Sequence, residues 1–208
     1  KGVVRAKDTP NFIANRIGVA GILSTIRQAE HFGLTFDVVD DLTGKKLGRA
    51  SSGTFRTADV VGLDTLAHVI KTLQDNLSEQ TDPFYGNYGT PVVLQKLLDL
   101  GNLGQKAKAG FYKKVGRDIL RFELASESYV PGGQKADEVY GRMLKKPAGE
   151  RLQLLRNAEG AQGQFLWAIL RDSFHYAATH LQEIADTARD VDQAMRWGFG
   201  MQQGPFEL

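Results

Sequence analysis

Residues 7–16 read KDTPNFIANR and mark the place where an extended segment passes into the first long helix of this 208-residue chain. Pro10 restricts Thr9 to an extended conformation and cannot lie inside a helix, so we predict that the helix begins just after it. The spacing of apolar residues predicts a helix over residues 12–32. Asn15 then lies in or near the first helical turn, close to the positive end of the helix dipole.

Helical periodicity also dominates the rest of the chain. Further helices are predicted over residues 36–46, 57–77, 92–100, 137–144, 150–158, 165–185 and 190–197. A β-hairpin is predicted from strands at 110–115 and 119–122, which flank a turn that contains Gly116, and residues 126–133 are predicted to be loop. The fold class is therefore predicted to be mostly α, with a small β-hairpin.

The chain contains two halves of similar pattern. Each half has a long helix, then a short helix with an acidic residue near its start, and then a Gly-x-Phe turn. Three residue pairs align the halves, at offsets of 153, 151 and 151: Phe12 with Phe165, Asp41 with Asp192, and Gly53 with Gly204. We predict a first repeat unit with the hairpin at 1–123, a connecting segment at 124–160 and a truncated second unit at 161–208. Both ends of the chain are expected to be cuts within a longer polypeptide.

The composition excludes several classes of protein. The net charge is +2 and the 26 basic residues are spread along the chain, so we expect no nucleic-acid partner. Cysteine is absent, which excludes a disulfide framework, and we expect a reducing, cytoplasmic location. No apolar run is long enough to cross a bilayer, so no transmembrane segment is expected. The four histidines lack the helical spacing of a metal site, and no metal is expected.

Residues 7–16 resemble the pattern Lys-Asp-x-Pro-Gly-Phe-x-x-Asn-Arg at the start of the C-terminal domain of 3-hydroxyacyl-CoA dehydrogenases. Residues 44–65 and 110–113 resemble segments of the same family. The resemblance covers nearly the whole chain. The two repeat units resemble the duplicated form of this helical domain in multifunctional fatty-acid oxidation proteins, and they imply that fold.

The resemblance also implies a reaction. In this family an L-3-hydroxyacyl-CoA is oxidised to a 3-ketoacyl-CoA in fatty-acid β-oxidation, and the hydride passes to NAD. The family binds NAD in a Rossmann domain on the N-terminal side, where a histidine oriented by a glutamate is the general base. Neither feature is found in this sequence. We therefore expect a fragment that holds no cofactor itself and is inactive alone.

The partners that the resemblance implies are the acyl-CoA substrate and the missing Rossmann domain. A fused enoyl-CoA hydratase domain is a further candidate, because multifunctional forms often carry one. Single-function forms often have one helical unit and complete the arrangement by dimerising. The second unit of this chain could fill that place, and a homodimer is the other candidate arrangement.

The resemblance implies that Asn15 is the catalytic and substrate-binding residue of this domain. Its carboxamide would hydrogen-bond the reacting group of the substrate and orient the catalytic histidine, since it offers a donor and an acceptor without a titrating charge. At an offset of 153, Asn15 aligns with Ala168, so only the first copy would serve the reaction. Asn11 stands where the family has Gly, and asparagine tolerates a left-handed backbone. The alternative is that Asn15 is a structural residue of the first turn, satisfied by nearby backbone.

Two other interpretations remain open. The first is a non-catalytic helical module for dimerisation or docking that keeps the fold. The second is a different NAD enzyme with a helical C-terminal domain, such as a relative of 6-phosphogluconate dehydrogenase. The sequence at residues 7–10 and the duplication argue against the second.

A group of basic residues surrounds the predicted hairpin: Lys106, Lys108, Lys113, Lys114 and Arg117. We interpret this group as a solvated face. Contact with the phosphates of coenzyme A is the alternative.

Overall fold

The computed structural model describes residues 2–208. The helices are α1 (Ala14–His31), α2 (Phe36–Thr43), α3 (Phe55–Val61), α4 (Leu63–Asn76), α5 (Val92–Asp99), α6 (Glu138–Leu144), α7 (Ala148–Arg156), α8 (Ala161–Ile184) and α9 (Ala188–Gly198). The strands form one antiparallel sheet in the order β1 (Tyr112–Val115), β2 (Asp118–Glu123) and β3 (Ser128–Pro131). The predicted fold class, mostly α with a small hairpin, is confirmed.

The helix predicted over 57–77 is divided into α3 and α4 because Gly62 breaks the helical backbone. Its φ of 103° lies in the region that glycine favours. The N–H of Leu63 donates to the carbonyl of Leu103 at 3.2 Å, outside the helix. The hydrophobic period continues across Gly62, and for this reason the apolar pattern alone does not reveal the break.

The third strand, β3, occupies residues that were predicted to be loop, so that prediction is wrong. Phe122 of β2 pairs with Tyr129 of β3 in the antiparallel register. Their rings meet edge to face, with centroids 5.4 Å apart. Aromatic pairs across strands stabilise a sheet, and this pair extends the hairpin into three strands.

Helices α1 and α8 pack against each other and form the centre of the core. Ile17 and Leu23 of α1 are buried there, as are Phe165 and Leu170 of α8. Burial of each such side chain contributes roughly 1.5–3 kcal/mol of hydrophobic free energy. Because α1 lies in the first half of the chain and α8 in the second, one core joins the two halves.

An aspartate closes the turn that precedes α3. The Asp40 carboxylate accepts the backbone N–H groups of Thr54 and Phe55, both at 2.7 Å. The N–H of Arg56 donates to its other oxygen at 3.0 Å. Burial raises the pKa of Asp40 to about 6, although these hydrogen bonds oppose the shift.

Gly53 has a φ of 70°, and a Cβ there would lie 2.6 Å from the Cα of Asp40, so the turn needs glycine.

The second half repeats this turn around Asp192. Its Oδ1 accepts the N–H of Phe206 at 2.8 Å, and a Cβ on Gly204 would collide with it. Asp40 is therefore the counterpart of Asp192, at an offset of 152. The predicted pairing of Asp192 with Asp41 is wrong, because the Asp41 carboxylate faces lysine side chains instead.

The connecting segment at 124–160 contains β3, α6 and α7. The division of the chain into two units and this segment stays a prediction. Within residues 2–208, no helix combines the length and the apolar character needed to cross a bilayer.

Substitution of Gly53 by alanine is expected to lower the free energy of unfolding by about 3 kcal/mol, because it adds a backbone clash to left-handed strain. Gly33 is the matched control. Its φ of 63° is similar, but a Cβ there would meet no atom within 4 Å. Gly33→Ala should therefore cost only about 1 kcal/mol. Urea unfolding of both variants measures the difference, and equal losses would contradict a close approach to Asp40.

Candidate functional site

Two left-handed residues set the start of α1. Asn11 and Phe12 have φ angles of 63° and 52°, and the helix begins at Ala14. Asparagine is among the residues that tolerate this region best, so the expected left-handed turn at Asn11 is confirmed. The Nδ2 of Asn11 donates to the carbonyl of Val69 in α4 at 3.3 Å. This bond attaches the turn to a second helix of the first half.

The segment before α1 is attached to the end of α8. The backbone N–H of Lys7 donates to the carbonyl of Ile184 at 3.1 Å. Its Nζ donates to the carbonyl of Gln182 at 2.6 Å and lies 3.7 Å from the carboxylate of Asp186. The start of α1 is therefore held from both halves of the chain.

Asn15 is the second residue of α1 and is exposed. Its carboxamide makes no hydrogen bond with any of residues 2–208, and the N-cap position is taken by Ile13, which has no side-chain oxygen. The carboxamide thus points from a fixed helix start with its donor and acceptor both unused. Such a group can bind a polar atom of another molecule without first giving up a partner.

Phe12 gives this surface an apolar component. Its ring is 57% exposed, which is unusual for phenylalanine. It lies three residues before Asn15, on the turn that leads into α1. An aromatic side chain and a carboxamide without hydrogen bonds are thus both exposed at the start of α1.

Directly after Asn15, the side chain of Arg16 is fully buried. Its Nε donates to the hydroxyl of Tyr176 at 2.8 Å, and its Nη2 donates to Asp82 at 3.1 Å. Nη2 also lies 3.1 Å from a carboxylate oxygen of Glu183. Burial alone would lower the pKa of Arg16, but Tyr176 and Glu183 raise it, so the guanidinium stays charged.

The other members of this buried cluster satisfy Asp82. The hydroxyl of Tyr88 donates to Asp82 at 2.6 Å and also contacts the hydroxyl of Tyr176. The Nε2 of His180 lies 3.2 Å from the second oxygen of Asp82, and its Nδ1 lies 2.8 Å from Glu183. Burial raises the pKa of Tyr176 to about 12, and that of Tyr88 rises further, so both phenols are neutral.

We call these six residues the arginine cluster: Arg16, Asp82, Tyr88, Tyr176, His180 and Glu183. The cluster crosses from α1 to α8 and fixes how α1 sits in the core. The His180 ring is buried within the cluster. The sequence does not predict the arginine cluster. Its one local signal was a charged residue, Arg16, within an apolar helical stripe.

Residues 12–114 match the model of the family described as "3-hydroxyacyl-CoA dehydrogenase, C-terminal domain". A probable 3-hydroxyacyl-CoA dehydrogenase of Bacillus subtilis is 40% identical over 209 residues, which cover 100% of this chain and 26% of that protein. A putative fatty acid oxidation complex trifunctional enzyme of Rickettsia felis is 28% identical and matches 100% of this chain and 28% of its own length. The chain thus spans little more than a quarter of either relative.

A crystal structure of 3-hydroxybutyryl-CoA dehydrogenase from Escherichia coli K12 has a similar fold, with a TM-score of 0.62 and 18% identity. The match covers 97% of this chain and 53% of that one. The family resemblance and the fold stated from the sequence are confirmed by these matches.

Removal of one partner from a buried ion pair leaves the other charge uncompensated. Asp82→Ala should therefore lower the free energy of unfolding by about 3–5 kcal/mol. The control is Asp75→Ala, which breaks the exposed pair between Lys71 and Asp75 and should cost less than about 1 kcal/mol. Urea unfolding measures both. A small loss for Asp82→Ala would mean that the arginine cluster does not hold the two halves together.

Proposed function

Residues 12–114 of this chain belong to the 3-hydroxyacyl-CoA dehydrogenase C-terminal domain family, and from this premise we propose that the chain is the substrate-side helical domain of an NAD-dependent L-3-hydroxyacyl-CoA dehydrogenase of fatty-acid β-oxidation. The observation that carries the proposal is the exposed, unpartnered carboxamide of Asn15 at a helix start that both halves hold.

NAD belongs to another part of the whole protein in this proposal. A dinucleotide site needs parallel strands, a glycine-rich turn and a crossover helix. Within residues 2–208 the sheet is antiparallel and each strand follows the last through a short turn, so these residues do not fit NAD. We assign NAD and the general base to a Rossmann domain on the N-terminal side.

Asn15 acts on the oxygen atom at carbon 3 of the substrate. Oxidation removes the proton from that oxygen, and negative charge develops on it as the carbonyl forms. The Nδ2–H of Asn15 can donate to the oxygen at this stage, and the positive end of the α1 dipole favours the charge. The Oδ1 remains available to accept a hydrogen bond from the histidine base and to orient it.

The rigid surroundings matter for this role because a donor acts well only if it is already in place. Asn15 is followed by Arg16, whose side chain the arginine cluster holds in the core. The turn before it is attached to α4 and α8. The carboxamide therefore needs little reorganisation when substrate binds.

The whole protein is proposed to contain further domains. The Rickettsia relative is named as a trifunctional enzyme, and this chain covers 28% of it. A Rossmann domain and a fused enoyl-CoA hydratase domain are the partners that fit this arrangement, with an acyl-CoA as the substrate. The fragment alone should not turn over.

The test is oxidation of NADH by acetoacetyl-CoA, measured with the intact protein. Asn15→Ala should lower kcat by about 100- to 1000-fold, the usual effect of losing one donor to a developing oxyanion. The control is Asn157→Ala, which removes an exposed carboxamide without hydrogen bonds at the end of α7 and should leave kcat unchanged. Circular dichroism must report an intact fold for both variants.

Two results would contradict the proposal in different ways. If Asn15→Ala leaves kcat unchanged, Asn15 is a structural residue and the site is wrong. If the intact wild-type protein has no activity, the chain is better described as a docking module that kept the fold.

A further inference from the structure

A cavity lies between α3 and the β-hairpin. It has a volume of about 650 Å³ and opens between α3, the segment before β1 and the turn between β1 and β2. We call it the hairpin pocket. Its wall includes Arg56, Lys108, Tyr112, Lys114 and Ile119.

Three cations of the hairpin pocket have no carboxylate partner. Among residues 2–208, no acidic oxygen lies within ion-pair distance of Arg56, Lys108 or Lys114. The neighbouring Lys106 differs, since its Nζ contacts both carboxylate oxygens of Asp64 at 2.6 Å. The basic group around the hairpin is therefore not uniform. Two of its members without ion pairs, Lys108 and Lys114, line the cavity together with Arg56.

Arg56 is held in place before any ligand binds. Its guanidinium carbon lies 4.9 Å from the centre of the Tyr112 ring, a cation–π contact. The Tyr112 hydroxyl donates to Asp40 at 2.9 Å, and the backbone N–H of Arg56 donates to the same carboxylate. A planar guanidinium fixed in this way suits bidentate contact with an oxyanion.

Lys108 occupies a strained backbone position. Its φ is 61°, in the left-handed region that a lysine rarely adopts. Glycine would fit this conformation without strain. Strained residues of this kind are concentrated at sites of ligand contact, where the conformation aims a side chain. Lys108 ends the short 3₁₀ helix Gln105–Ala107 in this conformation, and its side chain lies on the wall of the pocket.

Asp59 is the one acidic residue among those that line the hairpin pocket. Its two oxygens accept the backbone N–H groups of Phe111 and Tyr112 at 2.8 and 2.9 Å. The carboxylate is buried, and it serves to hold the start of β1. The Asp59 oxygens thus bind backbone N–H groups. The pocket wall carries three positive charges and this one carboxylate.

We propose that the hairpin pocket binds a phosphate-bearing ligand, with the phosphate group between Arg56, Lys108 and Lys114. The exposed side chain of Ile119 offers an apolar surface for the carbon part of that ligand. A phosphate of this kind has two sources, coenzyme A or a free phosphorylated metabolite. The coenzyme A source rests on the proposed function, whereas the phosphate site does not.

The test is isothermal titration calorimetry of the intact protein with two probes, inorganic pyrophosphate and coenzyme A. The double variant Lys108→Gln, Lys114→Gln should bind the probe at least about tenfold more weakly, because two charge-assisted contacts are lost. The control is Lys145→Gln, Arg189→Gln. This control also removes two positive charges, but from exposed side chains that form no ion pair. Its affinity for the probe should equal that of the wild type.

A third variant separates binding from folding. Lys108→Gly relieves the left-handed strain, so its melting temperature should be no lower than that of the wild type while its affinity still falls. A structural role for Lys108 would give the opposite pattern, with a lower melting temperature and unchanged affinity.

The two probes distinguish the sources of the phosphate. Lysine-dependent binding of both probes assigns the site to coenzyme A, and lysine-dependent binding of pyrophosphate alone assigns it to a free metabolite. Binding of neither probe, or binding that the lysine variants do not weaken, overturns the proposal. Failure of the proposed function is a separate result, because an unchanged kcat in Asn15→Ala, or no turnover in the wild type, would leave lysine-dependent binding of pyrophosphate in place.

Discussion

The buried guanidinium of Arg16 is the interaction on which the rest of the structure depends. A charge in a helical core is tolerated only when hydrogen bonds and opposite charges surround it. Here they come from Asp82 in the loop after α4 and from Tyr176 and Glu183 in α8. The buried charge of the first half therefore has partners in both halves, and so does the helix start that carries Asn15.

The two halves of the chain share a turn geometry, but they differ at the position of Asn15. Asp40 and Asp192 close equivalent turns, so the two halves share one way of joining a short helix to the next segment. Their long helices differ at the position that matters. Asn15 is exposed and its carboxamide makes no hydrogen bond with residues 2–208, whereas its counterpart Ala168 is buried. The second half of the chain supports the helix that carries Asn15.

The sequence predicts most of the helices, the hairpin and the turn at Asn11, because these follow from local rules about periodicity, proline and left-handed residues. It does not predict the break at Gly62, where the apolar period continues without interruption, or β3, which a cross-strand aromatic pair stabilises. The arginine cluster is beyond such rules, since Arg16 and Tyr176 are 160 residues apart. Asn15 as the functional residue stays a prediction, which the geometry around it supports.

A double-mutant cycle between Arg16 and Tyr176 tests the central claim most directly. The free energy of unfolding is measured in urea for wild type, Arg16→Met, Tyr176→Phe and the double variant. If the buried bond joins the two halves, the two substitutions should be coupled by about 1 kcal/mol or more. Effects that add to within about 0.3–0.5 kcal/mol would contradict the account, because they would mean that the two residues do not depend on each other.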